Sequence, residues 1–218
     1  MKNNHALRLF LVLSLGWIVS FLIAYLITEK GDLELWLNEK NNHIADVFFK
    51  YWTHVGDGAV YAVIIILLLA FYSYWSAFYL LLVSILQTIL VQILKLVFFP
   101  DAPRPKSFFG ESVNLHFVEG VEVHAWNSFP SGHTATAFAI ACALSILMNH
   151  SKNSIWGIVL FVIAALVALS RVYLLQHFFI DTAVGAFLGI IAALIVSVIL
   201  GRFSASEKWN RGLFYTKK

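Results

Sequence analysis

Six ionisable residues stand where apolar stretches give way to polar loops: Lys95, Arg104, His133, Arg171, His177 and Asp181. Three are cations, which suit a multiply charged anion, and a guanidinium fork pairs bidentately with phosphate oxygens. His133 closes the segment Pro130-Ser131-Gly132-His133. Pro130 suits a first helical turn, where its missing N–H costs nothing. The N–H groups of Ser131, Gly132 and His133 are then expected to face an anion, aided by the helix dipole. Gly132 lets that anion approach the backbone closely. His177 and Asp181 are four residues apart, which on a helix puts them on one face. A carboxylate there accepts the imidazole Nδ1–H, stabilises the imidazolium and leaves Nε2 to attack. His133 is then the group to protonate a departing oxygen. The chemistry is phosphoryl transfer, with one histidine attacking and one donating.

Two histidines and an aspartate are also the inventory of a metal site. Three surrounding cations oppose a divalent ion, however, no acidic cluster offsets them, and magnesium wants several oxygen ligands. Neither metal nor cofactor is expected.

The elements that position these residues are read from hydropathy. Of 218 residues, 60% are hydrophobic and 12% charged, and the mean hydropathy is +0.80. A soluble domain carries roughly twice that charged fraction. The apolar residues fall in runs near the ~20 residues that cross a bilayer. Six spans are expected: residues 9–27, 59–71 (with a start as early as His54), 77–98, 131–148, 155–173 and 177–200. The first follows Lys2 and Arg8 but lacks a clear small-x-small cleavage site, so it reads as a retained helix. The expected fold is all-α, a polytopic membrane bundle of six transmembrane helices forming one domain over residues 1–218. Cys142 is the single cysteine, which excludes an intramolecular disulfide and a paired-cysteine site.

Residues 99–130 form the longest connection. A loop of that length is usually functional, and its prolines and glycines predict irregular backbone. Within residues 28–54, Leu33, Trp36, Leu37, Ile44, Val47, Phe48 and Tyr51 recur at roughly helical spacing among charged residues. That segment reads equally as an interfacial amphipathic helix or a connecting helix packed on the bundle. With six spans both termini share one side. That side carries eight basic residues and one acid, against seven basic and eleven acidic on the other. Lys95, Arg104 and Arg171 are retained on the second side for chemistry, so the positive-inside rule places both termini in the cytoplasm. All six ionisable residues then lie at the outer face. Charges at membrane depth are costly and ask for a function; their convergence is the bottom-up argument for a site.

The chain resembles the type 2 phosphatidic acid phosphatase superfamily, which also holds bacterial acid phosphatases and vanadium haloperoxidases. Pro130 to His133 is one intact part of its signature. Ser170-Arg171, five residues, His177, three residues and Asp181 is another. The remaining part is Lys95 followed by Arg104-Pro105, with eight intervening residues where six are usual; Lys106 is a substitute candidate for the lysine. The resemblance implies a phosphohistidine on His177, acid–base work by His133 and orientation by Asp181. It implies phosphate binding by Lys95, Arg104, Ser131, Gly132 and Arg171, and no metal. A haloperoxidase would need bound vanadate, and the membrane plan argues against one.

The expected activity is a metal-independent lipid phosphate or pyrophosphate phosphatase at the outer face of a bacterial inner membrane. Undecaprenyl pyrophosphate is the favoured substrate; lipid A phosphate, phosphatidylglycerophosphate and phosphatidate are the alternatives. A non-catalytic phospholipid-binding protein is the competitor from another class. A transporter predicts mid-membrane charges and repeats with broken helices, and the sequence has neither. The expected partners are a phosphorylated lipid and membrane lipids, not nucleic acid.

Several residues carry blander readings. Thr53 or Asp57 is expected to cap the second span, with contact of His54 and Asp57 to a head group as the sharper option. His116 and His124 read as surface residues before head-group selectors, and His5, His43 and His150 as solvent-facing. Trp126 and Phe129 wall a lipid entrance or sit as interfacial aromatics. Gly185 and Gly189 form a small-residue face for helix packing, and Gln87 and Gln92 are expected to bond across helices.

Overall fold

The computed structural model describes residues 4–148, 153–203, 206 and 208–214. Helix α1 (His5–Ile27) starts at Asn4, whose side chain accepts the Leu7 N–H. Helices α2 (Asp32–Glu39) and α3 (His43–Trp52) follow, separated where Asn42 caps α3 by accepting from Ala45 N–H. A 3₁₀ turn (Thr53–Gly56) leads to α4 (Gly58–Leu67), which ends in a π-helical turn (Leu68–Tyr72). Ser73 caps α5 (Tyr74–Ile93), and a second π-helical turn (Leu94–Phe98) ends it. After the short α6 (Pro105–Phe109) come α7 (Gly132–Leu147), α8 (Ile155–Tyr173) and α9 (Phe179–Leu200).

These are the expected apolar segments, but not as six equal spans. Among the described residues four helices are long and apolar enough to cross a membrane: α1, α5 with its π turn, α8 and α9. A fifth counts only if α3 and α4, bent by 55° at their junction, are taken as one broken span. Helix α7 has 16 residues, about 24 Å at the helical rise, against about 30 Å of hydrocarbon. The reason is its position. Every residue from 134 to 143 is buried, because α1, α4, α5, α8 and α9 surround α7. A helix sheathed by protein has no lipid thickness to match. Helix α1 has the opposite environment: Val12, Leu15 and Leu26 are more than half exposed, as suits a face solvated by acyl chains.

Small residues let the central helices approach. A Cβ added to Gly189 would lie 2.2 Å from the Ala135 carbonyl oxygen, and one on Gly185 2.5 Å from that of Ser131. The expected small-residue face of α9 is therefore its contact with α7. Gln87 departs from expectation: its Nε2 donates to the adjacent Thr88 Oγ1 at 3.0 Å rather than to another helix, and Gln92 is exposed.

The described terminal segments lie at one end of the bundle. Asn4 Nδ2 donates to the Ser145 carbonyl near the end of α7, and the 208–214 segment pairs with the α4–α5 turn through Trp75 N–H to Trp209 O and Leu213 N–H to Leu69 O. The catalytic-type residues gather at the other end of the bundle. There the 99–130 loop folds back on itself, Arg104 N–H donating to Ala125 O and Ser128 N–H to Ala102 O. The loop docks on α2 through paired bonds between Asn38 and the His116 backbone. His5 and His43 are exposed; His150 lies outside the described residues.

Candidate active site

The turn from α8 to α9 sets the geometry. Gln176 N–H donates to Arg171 O and Leu175 N–H to Val172 O, with Leu175 at φ 53°. This is a Schellman ending with leucine at the left-handed position that glycine usually takes. The leucine side chain is buried, only 1% exposed, and its packing offsets the backbone cost of αL. His177 N–H also reaches Arg171 O at 3.2 Å, so the turn ties the cation of α8 to the histidine before α9.

His177 does not open the helix, as its spacing to Asp181 suggests; α9 begins at Phe179. The pair still meets because Asp181 stands at the third helical position and reaches back. Its Oδ2 accepts from Phe178 N–H at 3.0 Å and Ser128 Oγ at 2.5 Å, and lies 3.4 Å from His177 Nδ1. Both side chains are buried. Burial, and the charges of Arg104, Arg171 and Lys95, hold His177 well below the usual imidazole range. That shift favours the neutral form of the ring.

The PSGH segment is corrected in two details. Pro130 precedes the cap, through a cis peptide bond with Phe129, and Ser131 is the N-cap, its Oγ 3.5 Å from Thr134 N. The Ser131 N–H is not open to an anion, because it donates to Asp181 O at 3.1 Å. That bond registers α7 against α9. The N–H groups of Gly132 and His133 remain first-turn donors without a partner among the described residues.

The three cations differ. Arg104 is buried, and Nε donates to Trp126 O at 2.9 Å while Nη1 donates to the Gln176 carbonyl and side-chain oxygens at 3.1 and 2.7 Å. It secures the loop to the α8–α9 turn, and its remaining Nη2 reaches Asn127 O only at 3.5 Å. Arg171 Nη1 donates to Thr53 Oγ1 at 2.7 Å, but its buried Nε has no partner among the described residues. An unsatisfied buried donor is costly, and a phosphate oxygen would satisfy it. Lys95 lies in the π turn after α5, within electrostatic reach of Arg104, Arg171 and Asp181. The wider π turn, closed by Phe99 N–H to Leu94 O, accommodates the longer spacer to Arg104. Lys106 is exposed on α6, so Lys95 is the lysine of the site.

Sequence reasoning missed three residues and the partner of a fourth. Ser128 and Gln176 are buried polar residues whose bonds hold Asp181 and Arg104; Gln176 is a polar interruption in an apolar stretch, whereas Ser128 lies in the polar loop with nothing to single it out. Glu34 of α2 accepts the Phe179 N–H at 2.7 Å, capping α9 from a distant element. Burial pushes its carboxyl up, with this bond pulling the other way. Nothing in the sequence pairs residues 34 and 179. Asp57 is the fourth. Neither it nor Thr53 caps α4 through its side chain. Thr53 serves Arg171, and Asp57 Oδ1 lies 2.6 Å from His133 Nε2. His116 meets Asp46 at 3.0 Å, and His124 is exposed. Trp126 is exposed, while Phe129 stacks edge-on with Phe99 at 4.7 Å. Among the described residues no group of three or more His, Cys, Asp or Glu converges as a metal site would.

The comparisons with known proteins bear on the fold and the family. The fold superimposes on that of LpxE from Aquifex aeolicus with a TM-score of 0.66 and 33% identity, covering 77% of this chain and 93% of that one. It shares its fold with a PAP2-type phosphatidylglycerolphosphate phosphatase of Bacillus subtilis, with a TM-score of 0.61, 24% identity and coverage of 94% and 98%. Over 68 residues it is 38% identical to the lipid A 1-phosphatase of Porphyromonas gingivalis, 31% of this chain and 15% of that protein. The matches span no more than about a third of the curated relatives' lengths. The model of the PAP2 superfamily matches residues 75–204, more than half of the 218. That stretch contains every signature residue at the polar end of the bundle, and the chain therefore belongs to the PAP2 superfamily.

Proposed function

We propose that this chain dephosphorylates a lipid A-type phosphate at the outer face of a bacterial inner membrane, through a phosphohistidine on His177 and without metal. The observation that carries the mechanism is the buried, neutral His177 beside Asp181, facing a site with the unpartnered Arg171 Nε and the open N–H groups at the head of α7. Those donors and Lys95, with the remaining edge of Arg104, hold the non-bridging oxygens and stabilise the charge that develops on them. His177 Nε2 attacks phosphorus in line; the P–O bond breaks, and the leaving oxygen takes a proton from His133. Water then attacks the phosphohistidine, giving its proton to His133 as the P–N bond breaks and phosphate departs. Asp181 stays ionised and holds the ring.

Substrate choice follows the relatives. The similarity to a protein named for lipid A 1-phosphatase activity favours lipid A phosphate over undecaprenyl pyrophosphate. In this reading residues 1–218 act as one domain crossing the membrane six times, with α7 as a sheathed short crossing. Both termini are cytoplasmic, residues 28–54 lie in the outer interface, and loop 99–130 frames the site. The test is phosphate release by detergent-purified protein in EDTA from lipid A, undecaprenyl pyrophosphate, phosphatidylglycerophosphate and phosphatidate, with His177→Ala as control. The expected result is release that prefers lipid A and disappears in the control. Preference for the pyrophosphate reverses the substrate assignment. Folded protein that releases nothing from any lipid leaves only phospholipid binding.

A further inference from the structure

Asp57 occupies the cap position of α4 without capping it. Its Oδ1 lies 2.6 Å from His133 Nε2, and its Oδ2 lies 2.7 Å from His54 Nδ1. The turn that carries it is pressed onto the head of α7. Thr53 accepts from Arg171, and a Cβ on Gly56 would lie 2.8 Å from the His133 carbonyl oxygen. The carboxylate therefore stands between two imidazoles, one two-thirds exposed and one in the site.

His133 needs such a partner. The groups acting on its ring are Arg171 from α8, His54 and Asp57 from the turn before α4, and His177 from the turn before α9. Asp57 is the one carboxylate among them. A general acid surrounded by cations loses its proton readily, and an adjacent carboxylate opposes that loss.

We propose that Asp57 is a positioning residue for His133, holding the Nε2 proton and stabilising the imidazolium that protonates the leaving oxygen, with His54 fixing the carboxylate from its other side. The inference rests on the phosphatase reading above. Nδ1, which makes no hydrogen bond among the described residues, is left to exchange the proton: it gives one to the departing oxygen and regains one from the attacking water. Asp57 remains ionised throughout, as the orienting carboxylate of a triad does.

The test compares two substrates with the same alkyl chain, an alkyl phosphate and a nitrophenyl phosphate, in detergent. The aryl oxygen departs without needing a proton. Asp57→Asn is expected to lower kcat/KM for the alkyl phosphate about 10- to 100-fold, the scale of general-acid catalysis, and to move its basic limb to lower pH. Its kcat/KM for the aryl phosphate, which reports the steps up to loss of the aryl oxygen and not the later attack of water, is expected to change less than about threefold, and Asp57→Glu to recover part of the loss. Asp57→Ser, which suits a helix start, reads the same contrast if the asparagine variant does not fold. Equal losses on both substrates, or no loss on either, overturn the role of Asp57. Wild-type protein inactive on both substrates instead overturns the phosphatase reading beneath it.

Discussion

At the scale of single residues, the site is a set of buried polar groups whose pairing decides their chemistry. His177 is the clearest case. Burial and three cations keep it neutral, so its contribution to stability has a definite sign. In the unfolded chain the ring takes up a proton below about pH 6.5, whereas the folded ring does not. The unfolded state then binds more protons, and stability falls as pH drops from about 6.5 toward the lower folded value. Melting of the detergent-solubilised protein between about pH 7.5 and 5 is expected to show this decline, and His177→Asn to flatten it while removing activity. A decline of the same slope in the variant would assign it to other groups. Ser128 gives a second prediction. Its hydroxyl donates to the Asp181 oxygen that also faces His177. Ser128→Ala is expected to lower kcat about 10- to 100-fold, the scale of one lost hydrogen bond to a charged group, with KM little changed. A rise in KM alone would place Ser128 with binding instead.

At the scale of elements, the site depends on how α9 meets α7 and α2. Glu34 accepts the first N–H of α9 from across the bundle. Removing a cap costs about 0.5–2 kcal/mol, so Glu34→Ala is expected to lower the melting temperature. Glu34→Gln keeps an acceptor oxygen and is expected to stay near wild type. Equal losses in the two would mean that the charge, not the bond, matters. Gly189 faces the Ala135 carbonyl at a distance no side chain fits. Gly189→Val is expected to push α7 and α9 apart at a cost of about 1–3 kcal/mol. Because Ser131 N–H is bonded to Asp181 O across the same contact, activity should fall further than stability. Parallel melting and kcat measurements check this.

At the scale of the whole molecule, one end of the bundle carries the site and the other both described terminal segments. If the polar end faces outward, a membrane-impermeant maleimide will label Ser112→Cys on intact cells and leave Ser206→Cys unlabelled, each in a Cys142→Ala background. The reverse pattern would invert the topology. The apolar exposure of α1 and the burial of α7 describe one architecture: a short central helix with its N-terminus at the polar end of the bundle, packed among α1, α5, α8 and α9, which are longer and apolar enough to cross a membrane.

By itself the sequence determined the apolar helices, the polar loop over residues 99–130 and the identity of the two histidines, the aspartate and the cations. These are legible because hydropathy is a local property, and because the residues of each motif lie within one turn or loop. Tertiary structure decided the rest. Among the described residues only four helices, or five with the bent pair, are long and apolar enough to span on their own, because a helix enclosed by others, as α7 is, need not match the bilayer, and no local pattern records enclosure. Ser131 lost its N–H to Asp181, and Arg104 most of its donors to the loop and Gln176, because backbone donors and carbonyls find partners that only the folded chain brings together. Asp57 and Thr53 read as caps, since a polar residue before an apolar run is the usual sign of one. Their side chains turned to His133 and Arg171 because the bend between α3 and α4 sets that turn on the head of α7, where two buried polar groups had a stronger claim on them than solvent-exposed helix ends.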